Sequence, residues 1–188
     1  MILRGLGAEA TVRAARDAWQ TGIEMVEVPL QSERDEESLA AAAAEAATEG
    51  RVIGAGTITS IELCATAKKL GAAYVVTPGL DLRLCAAALD LELPCLPGVA
   101  TPTEVQAASN YGLLWQKGFP ASILGTAWFK AMSGPFPQVR FVATGGMNAS
   151  TAIDYLRSGV SSIGVSGPAT AENLRTLRNA GEYRVRPR

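Results

Sequence analysis

Residues 95–120 read CLPGVATPTEVQAASNYGLLWQKGFP, and this stretch decides the fold. An apolar run over 95–99 leads to Thr101, a residue suited to cap a helix, followed by Pro102 at the first helical position and Glu104 in the first turn. Helical spacing of apolar residues then holds over 102–110, and a second apolar run covers 113–119. Strand, helix and strand packed this tightly form a βαβ crossover, which joins parallel strands.

The same unit recurs in both directions along the chain. Strand-like runs are expected at 2–6, 23–30, 52–57, 74–78, 95–99, 113–119, 139–144 and 162–166. Helical periodicity is expected at 8–20, 33–49, 60–70, 81–89, 102–110, 121–132, 150–157 and 171–179. Eight alternating pairs imply an α/β fold, a compact (β/α)8 TIM barrel in a single domain, with an open doubly wound sheet as the competing arrangement. At 188 residues the chain holds one well-cored domain, expected over 1–182, with 183–188 as a frayed, arginine-rich tail. Short loops and no lid are implied, and the first strand starts almost at Met1.

Composition removes several classes of function. With 17 basic and 18 acidic side chains the net charge is -1, so nothing global attracts nucleic acid or an anionic membrane. No run reaches the length of a membrane span or a signal-peptide core. The three cysteines, Cys64, Cys85 and Cys95, are scattered, which argues against a zinc site or a disulfide framework and fits a reducing, cytoplasmic setting. Histidine is absent from the whole sequence, so Ser-His-Asp and Cys-His schemes and His-ligated metals are excluded. No metal and no cofactor are expected. Chemistry must run on Lys, Glu, Asp, Tyr, hydroxyls or the backbone.

In a barrel, side chains alternate between the interior and the helix layer, and reactive groups gather at the C-terminal strand ends. Leu113, Trp115, Lys117 and Phe119 share one parity, so Lys117 is expected to point inward between an indole and a phenyl ring. Lost hydration there would disfavour the ammonium and free the amine to attack a ketone. A lysine reaching from the strand end into solvent satisfies the same pattern. Ile23, Met25 and Glu27 likewise share a face, with Glu27 ending an apolar column. Alone, that carboxylate is as compatible with solvent as with function, but an amine and a carboxylate in one cavity suit iminium chemistry.

Glycine marks the last two strands. Thr144-Gly145-Gly146 follows the seventh run, and Gly164, Val165 and Ser166 end the eighth ahead of Gly167. Bare backbone and a following helix N-terminus at this place suit a phosphate group; tight turns that need positive φ would use the same glycines, but their position at the seventh and eighth strands favours phosphate. Gly54-Ala-Gly56-Thr57 lacks the third glycine of a dinucleotide fingerprint. Its small residues suit close packing, and Thr57 offers a hydroxyl. Pro78 and Pro97 stand in strand-to-helix turns as rigid walls of the cavity.

At these positions the chain resembles the 2-keto-3-deoxy-6-phosphogluconate (KDPG) aldolase family, class I enzymes also called 2-dehydro-3-deoxy-phosphogluconate aldolases. The resemblance runs through ILRG at 2–5, VEVPL at 26–30, IGAGT at 53–57, TPGL at 77–80, PGVAT at 97–101, KGFPAS at 117–122 and GPFPQVRFVATGG at 134–146. It implies Lys117 as the Schiff-base lysine and Glu27 as the proton-transferring carboxylate. Thr57 would face the pyruvate moiety, Phe119 would flank the lysine, and Thr144, Gly145, Gly146 and Ser166 would form the phosphate end. A phosphorylated keto-sugar acid and pyruvate are the implied ligands, and a homotrimer the implied assembly. An aldolase for unphosphorylated 4-hydroxy-2-oxoglutarate and a sugar-phosphate-binding barrel without catalysis are the alternatives. Gln31 stands where the gluconate branch carries a carboxylate-clamping arginine, and Arg4 is the expected substitute. Pro29, Gln31 and Ser32 resemble the galactonate branch, while Thr144-Gly-Gly resembles the gluconate branch. Gly118 replaces a bulky residue, and the helix that often precedes the first strand is not seen in this sequence.

Overall fold

A computed structural model describes residues 1–166 together with 172, 175 and 176. Helices α1 (Ala8–Gln20), α2 (Glu33–Thr48), α3 (Ile61–Lys69), α4 (Leu82–Asp90), α5 (Pro102–Asn110), α6 (Ala121–Met132) and α7 (Ala152–Arg157) alternate with short strands. The strands are β1 (Glu27–Pro29), β2 (Gly54–Gly56), β3 (Tyr74–Val76), β4 (Cys95–Leu96), β5 (Gly98–Val99), β6 (Trp115–Gly118), β7 (Arg140–Thr144) and β8 (Ser162–Gly164). All pair in parallel, as two four-stranded sheets ordered β1-β2-β3-β4 and β5-β6-β7-β8.

Two joints close these sheets into one ring. Pro97 alone separates β4 from β5, so the expected run at 95–99 is one strand position interrupted once. Proline has no N–H for the ladder, and the next one, from Gly98, goes to the Thr77 hydroxyl at 3.3 Å. The other joint is Ile2, which bridges to Glu27 on one side and to Ser166 on the other. The barrel anticipated from the repeat is therefore the fold, and the open sheet is not.

The elements are shorter than the sequence runs, for identifiable reasons. The expected strand at 2–6 is a single bridge at Ile2, because Gly5 and Gly7 turn the chain with φ of 67° and 81°. The run expected at 23–30 pairs only over Glu27–Pro29; Ile23 is spent on closing α1, donating to Ala18 at 2.9 Å. The helix expected from Ser150 starts at Ala152, since the Asn148 side chain accepts the N–H groups of Ser150 and Thr151. Helix α6 breaks at Gly125, whose φ is 71°. The expected helix at 171–179 and the tail at 183–188 fall outside the described residues, except for helical 172, 175 and 176.

Helix starts follow the sequence closely. Ser32, Ser60 and Asp81 each accept backbone N–H groups of the first turn, and Thr101 with Glu104 forms a reciprocal capping box. The core is the shell between ring and helices: Val28, Ala55, Val75, Val99 and Ala143 from the strands belong to one buried cluster with Ala15, Leu39, Ala42, Cys64, Leu84 and Val105 from the helices. Each fully buried Val or Leu contributes roughly 1.5–3 kcal/mol. Alanine on the helices lets them lie close to the ring, which leaves the strands' other face for the interior.

Candidate active site

Lys117 sits on β6 in register with Gly98 of β5 and Val142 of β7. Its backbone is fixed by the Pro97 carbonyl, which accepts its N–H at 2.8 Å. Only 6% of the residue is exposed. The amine lies 4.9 Å from the centroid of the Phe119 ring, so the expected phenyl neighbour is there. The indole is not. Trp115 has the same parity but stands at the opposite, N-terminal end of β6, 47% exposed, with the Arg140 guanidinium 5.7 Å from its ring.

Across the barrel, Glu27 pairs with Ile2 and with Gly54. Gly56 makes room for its carboxylate: a Cβ there would fall 2.8 Å from a Glu27 oxygen. The apolar column expected beneath it does not form, because Met25 is exposed and lies outside the strand. Glu27 and Lys117 are close enough to shift one another. Burial pushes Lys117 below the ordinary amine range, opposed by the Glu27 charge and helped by Arg4. Burial pushes Glu27 above the usual carboxylate range, against the pull of Lys117, the Met1 amino group and Arg4. An amine and a carboxyl whose charges act on one another inside one ring suit carbonyl condensation, which needs a nucleophile and a proton carrier.

Arg4 reaches the same region from the first strand position. It donates to the Gln31 side-chain oxygen and, at 3.4 Å, to Thr57 Oγ1. The Gln31 backbone is in turn held by the Asp35 carboxylate, which accepts its N–H at 3.1 Å. Thr57 has φ of 59°, a left-handed conformation that a β-branched residue adopts only when its surroundings impose it. A cleft of about 490 Å³, lined by Gln31, Ser32, Glu33, Glu36, Thr57 and Thr59 among others, opens beside this trio. Lys117 and Glu27 line neither this cleft nor one of about 680 Å³ on the outer face between α6 and α7, which is lined by Thr126, Lys130 and Asp154 among others.

At the far side, Thr144 is buried and pairs with Gly164. A Cβ on Gly164 would fall 2.8 Å from the Thr144 hydroxyl, so the glycine accommodates that side chain inside β8 and makes no positive-φ turn. Gly145 and Gly146 do turn with positive φ, 96° and 72°, packed against Phe119 and Ser122. The helix N-terminus expected directly behind them is displaced by the turn at 147–151. Val165 is buried and gives its carbonyl to Ile2, while Ser166 is exposed at the closing bridge. Pro78 presses its carbonyl toward Gly98, where a Cβ would be 2.3 Å away; Pro97 is buried in the joint of the ring.

Gly118 also finds its explanation here. The Phe129 ring of α6 lies 2.3 Å from where a Cβ would stand, in an edge-to-face cluster with Trp128, Phe141 and Tyr155. The bulk absent after the lysine is supplied from the helix. Among the described residues, no group of His, Cys, Asp and Glu could hold a metal, and no helix is long and apolar enough to cross a membrane.

These observations define a class: a closed parallel βα barrel with an amine and a carboxylate facing one another inside. The sequence pattern of the family described as KDPG and KHG aldolase matches residues 6–179, and the chain belongs to that family. It is 48% identical over 105 residues to the 2-dehydro-3-deoxy-phosphogluconate aldolase of Pseudomonas aeruginosa, a match covering 55% of this chain and about half (48%) of that protein. The KHG/KDPG aldolase of Escherichia coli K12 is 34% identical over 93% of this chain and 80% of its own length. Among solved structures, a KDPG aldolase from Legionella pneumophila, with pyruvate captured as a covalent carbinolamine, superposes with a TM-score of 0.78 at 27% identity, covering 98% of this chain and 91% of that one.

Proposed function

We propose that this protein is a class I lyase that cleaves 2-keto-3-deoxy-6-phosphogluconate, or its galactonate epimer, to pyruvate and glyceraldehyde 3-phosphate. The observation that carries the reading is the buried Lys117 amine inside the ring, pushed below the ordinary amine range by burial and within the electrostatic reach of Glu27. Neutral Lys117 attacks the C2 ketone, and Glu27 protonates the departing hydroxyl, so that water leaves and an iminium forms. Glu27, now a carboxylate, takes the C4 hydroxyl proton, directly or through water. The C3–C4 bonding pair flows toward the iminium, releasing the aldehyde and leaving an enamine. Protonation at C3 and addition of water return pyruvate and the free amine.

Arg4, held by Gln31 and Thr57, supplies the positive charge for the substrate carboxylate. Pro78, Pro97 and Phe119 wall the cavity, and Thr144, Gly145, Gly146, Gly164, Val165 and Ser166 receive the phosphate. We further place the protein in the cytoplasm, in keeping with its free cysteines, and read it as a homotrimer on its family's pattern; light scattering tests the latter.

Because the productive state holds one proton between Lys117 and Glu27, kcat is expected to be bell-shaped in pH. It falls when a second proton binds and again when the shared one leaves, and both limbs belong to the pair. Borohydride reduction with pyruvate followed by mass spectrometry is the deciding experiment. A reduced adduct on the Lys117 peptide is expected, and Lys117→Ala should abolish it together with about 10⁴-fold or more of turnover. Near-normal activity in Lys117→Ala would sink the mechanism. Comparing the phosphorylated acid with 4-hydroxy-2-oxoglutarate tests the substrate: equal kcat/KM would remove the phosphate role.

A further inference from the structure

The inner face of β2 is bare at two successive positions, and two different side chains occupy the space. A Cβ on Gly54 would fall 2.2–2.6 Å from atoms of the Tyr74 ring, and one on Gly56 would fall 2.8 Å from a Glu27 carboxylate oxygen. Residues two apart in a strand share a face. The phenol ring and the carboxylate therefore lie one after the other along that face, with the ring on the N-terminal side. Pairing agrees, since Glu27, Gly54 and Tyr74 are in register on β1, β2 and β3. From β3 the ring crosses β2, and its hydroxyl donates to the Val26 carbonyl beside β1 at 2.8 Å. That carbonyl also accepts the Gly54 N–H at 2.9 Å, so its bonding does not depend on the phenol. Burial, followed by the nearby Glu27 charge, raises the Tyr74 phenol well above its ordinary range, which keeps it neutral.

We propose that Tyr74 is a positioning residue for Glu27: its ring closes the barrel beneath the carboxylate and keeps water from reaching it from the N-terminal end. The groups that act on Glu27 electrostatically are Lys117 from β6, Arg4 and the Met1 amino group, all basic, and Tyr74 from β3. Tyr74 is the one among them that cannot favour the charged carboxylate. The proton shared between Lys117 and Glu27 has two placements, amine with acid or ammonium with carboxylate. Water stabilises the charged placement, and a dry apolar wall favours the neutral one, in which the amine is nucleophilic. By holding water off, the ring keeps the amine reactive.

This inference rests on the proposed roles of Lys117 and Glu27, and its test separates the two. The pH profile of kcat is measured for the wild type, Tyr74→Ala, Tyr74→Leu and Tyr74→Phe, with borohydride trapping of pyruvate run in parallel. Opening the floor in Tyr74→Ala should move the acid limb about one pH unit lower and reduce kcat about tenfold, the equivalent of one unit. Tyr74→Leu, an apolar but smaller plug, should fall between, and it carries the test if the alanine variant does not fold. Tyr74→Phe restores the ring and should return the limb to its wild-type position. An acid limb that stays in place in folded Tyr74→Ala or Tyr74→Leu overturns the proposal, as does a Tyr74→Phe limb displaced as far as that of Tyr74→Ala. If pyruvate is never trapped on Lys117 in the wild type, the lyase reading fails instead, whatever the tyrosine variants do.

Discussion

Two inward-pointing columns meet inside this barrel, and they are supported differently from below. Glu27 stands over the Tyr74 ring, which a glycine on β2 admits. Lys117 stands two residues above Trp115, which is half exposed at the N-terminal end of β6 and faces Arg140. One column is plugged by a ring that crosses β2 from β3; the other ends in an indole half open to solvent. Yet Lys117 is buried all the same, so its dryness comes from the middle of the ring and from Phe119. Depth along a strand, and not parity alone, decides what an inward side chain meets.

The sharpest way to break this comparison is Glu27→Gln. If the carboxyl shuttles protons, its loss should lower kcat by about 10² to 10⁴, the usual range for a general acid–base group. Substrate binding should change far less, because the amide keeps the size that Gly56 accommodates. Stopped-flow kinetics with single-turnover analysis gives both numbers. A kcat within a few-fold of wild type would make Glu27 a bystander, and the two columns would then differ in function as well as support.

Much of this arrangement is written in the sequence, and the rest has physical reasons for being hidden. The shell is legible because burial against helices leaves periodic traces: Val28, Ala55 and Val75 lie on the strands, and Ala14, Ala15, Ala18 and Trp19 fall on one side of α1. Lys117 and Glu27 are legible because alternation assigns them to the interior. Trp115 and Met25 have the right parity and the wrong depth, since no local pattern says where a strand enters the ring. Tyr74 escapes notice for a related reason. Its ring acts two strands away, at Val26, and only inter-strand register reveals that. A usable signal does exist: glycines at 54 and 56 leave one face of a strand empty, and something large must fill it. Gly118 carries the same signal, answered by Phe129 from the helix layer.

Gly56→Ala tests that signal with a smaller expected effect. The new methyl would stand 2.8 Å from a carboxylate oxygen, closer than such atoms pack, so the flexible end of Glu27 must move. A displacement of about 1 Å at a reacting group costs up to roughly 10²-fold, and the side chain absorbs part of it, so a fall in kcat of about tenfold is expected. The circular dichroism spectrum should be unchanged. If activity is also unchanged, the carboxylate has room that the bare strand does not require, and Glu27 is less confined than Tyr74.

Trp115→Ala asks whether the second column needs its lower end at all. The indole is half exposed, and its visible partner is the Arg140 guanidinium at 5.7 Å, a contact worth about 0.5–1 kcal/mol at an exposed site. Thermal or urea denaturation should therefore show a loss of no more than about 1 kcal/mol. Turnover should stay within about twofold, because the Lys117 amine is shielded by Phe119 at 4.9 Å and by the closed ring, not by the indole. A tenfold fall in kcat together with an acid limb moved to lower pH would mean that water entering beside Trp115 reaches the amine. The N-terminal end of β6 would then be a second floor, and the two columns would work alike.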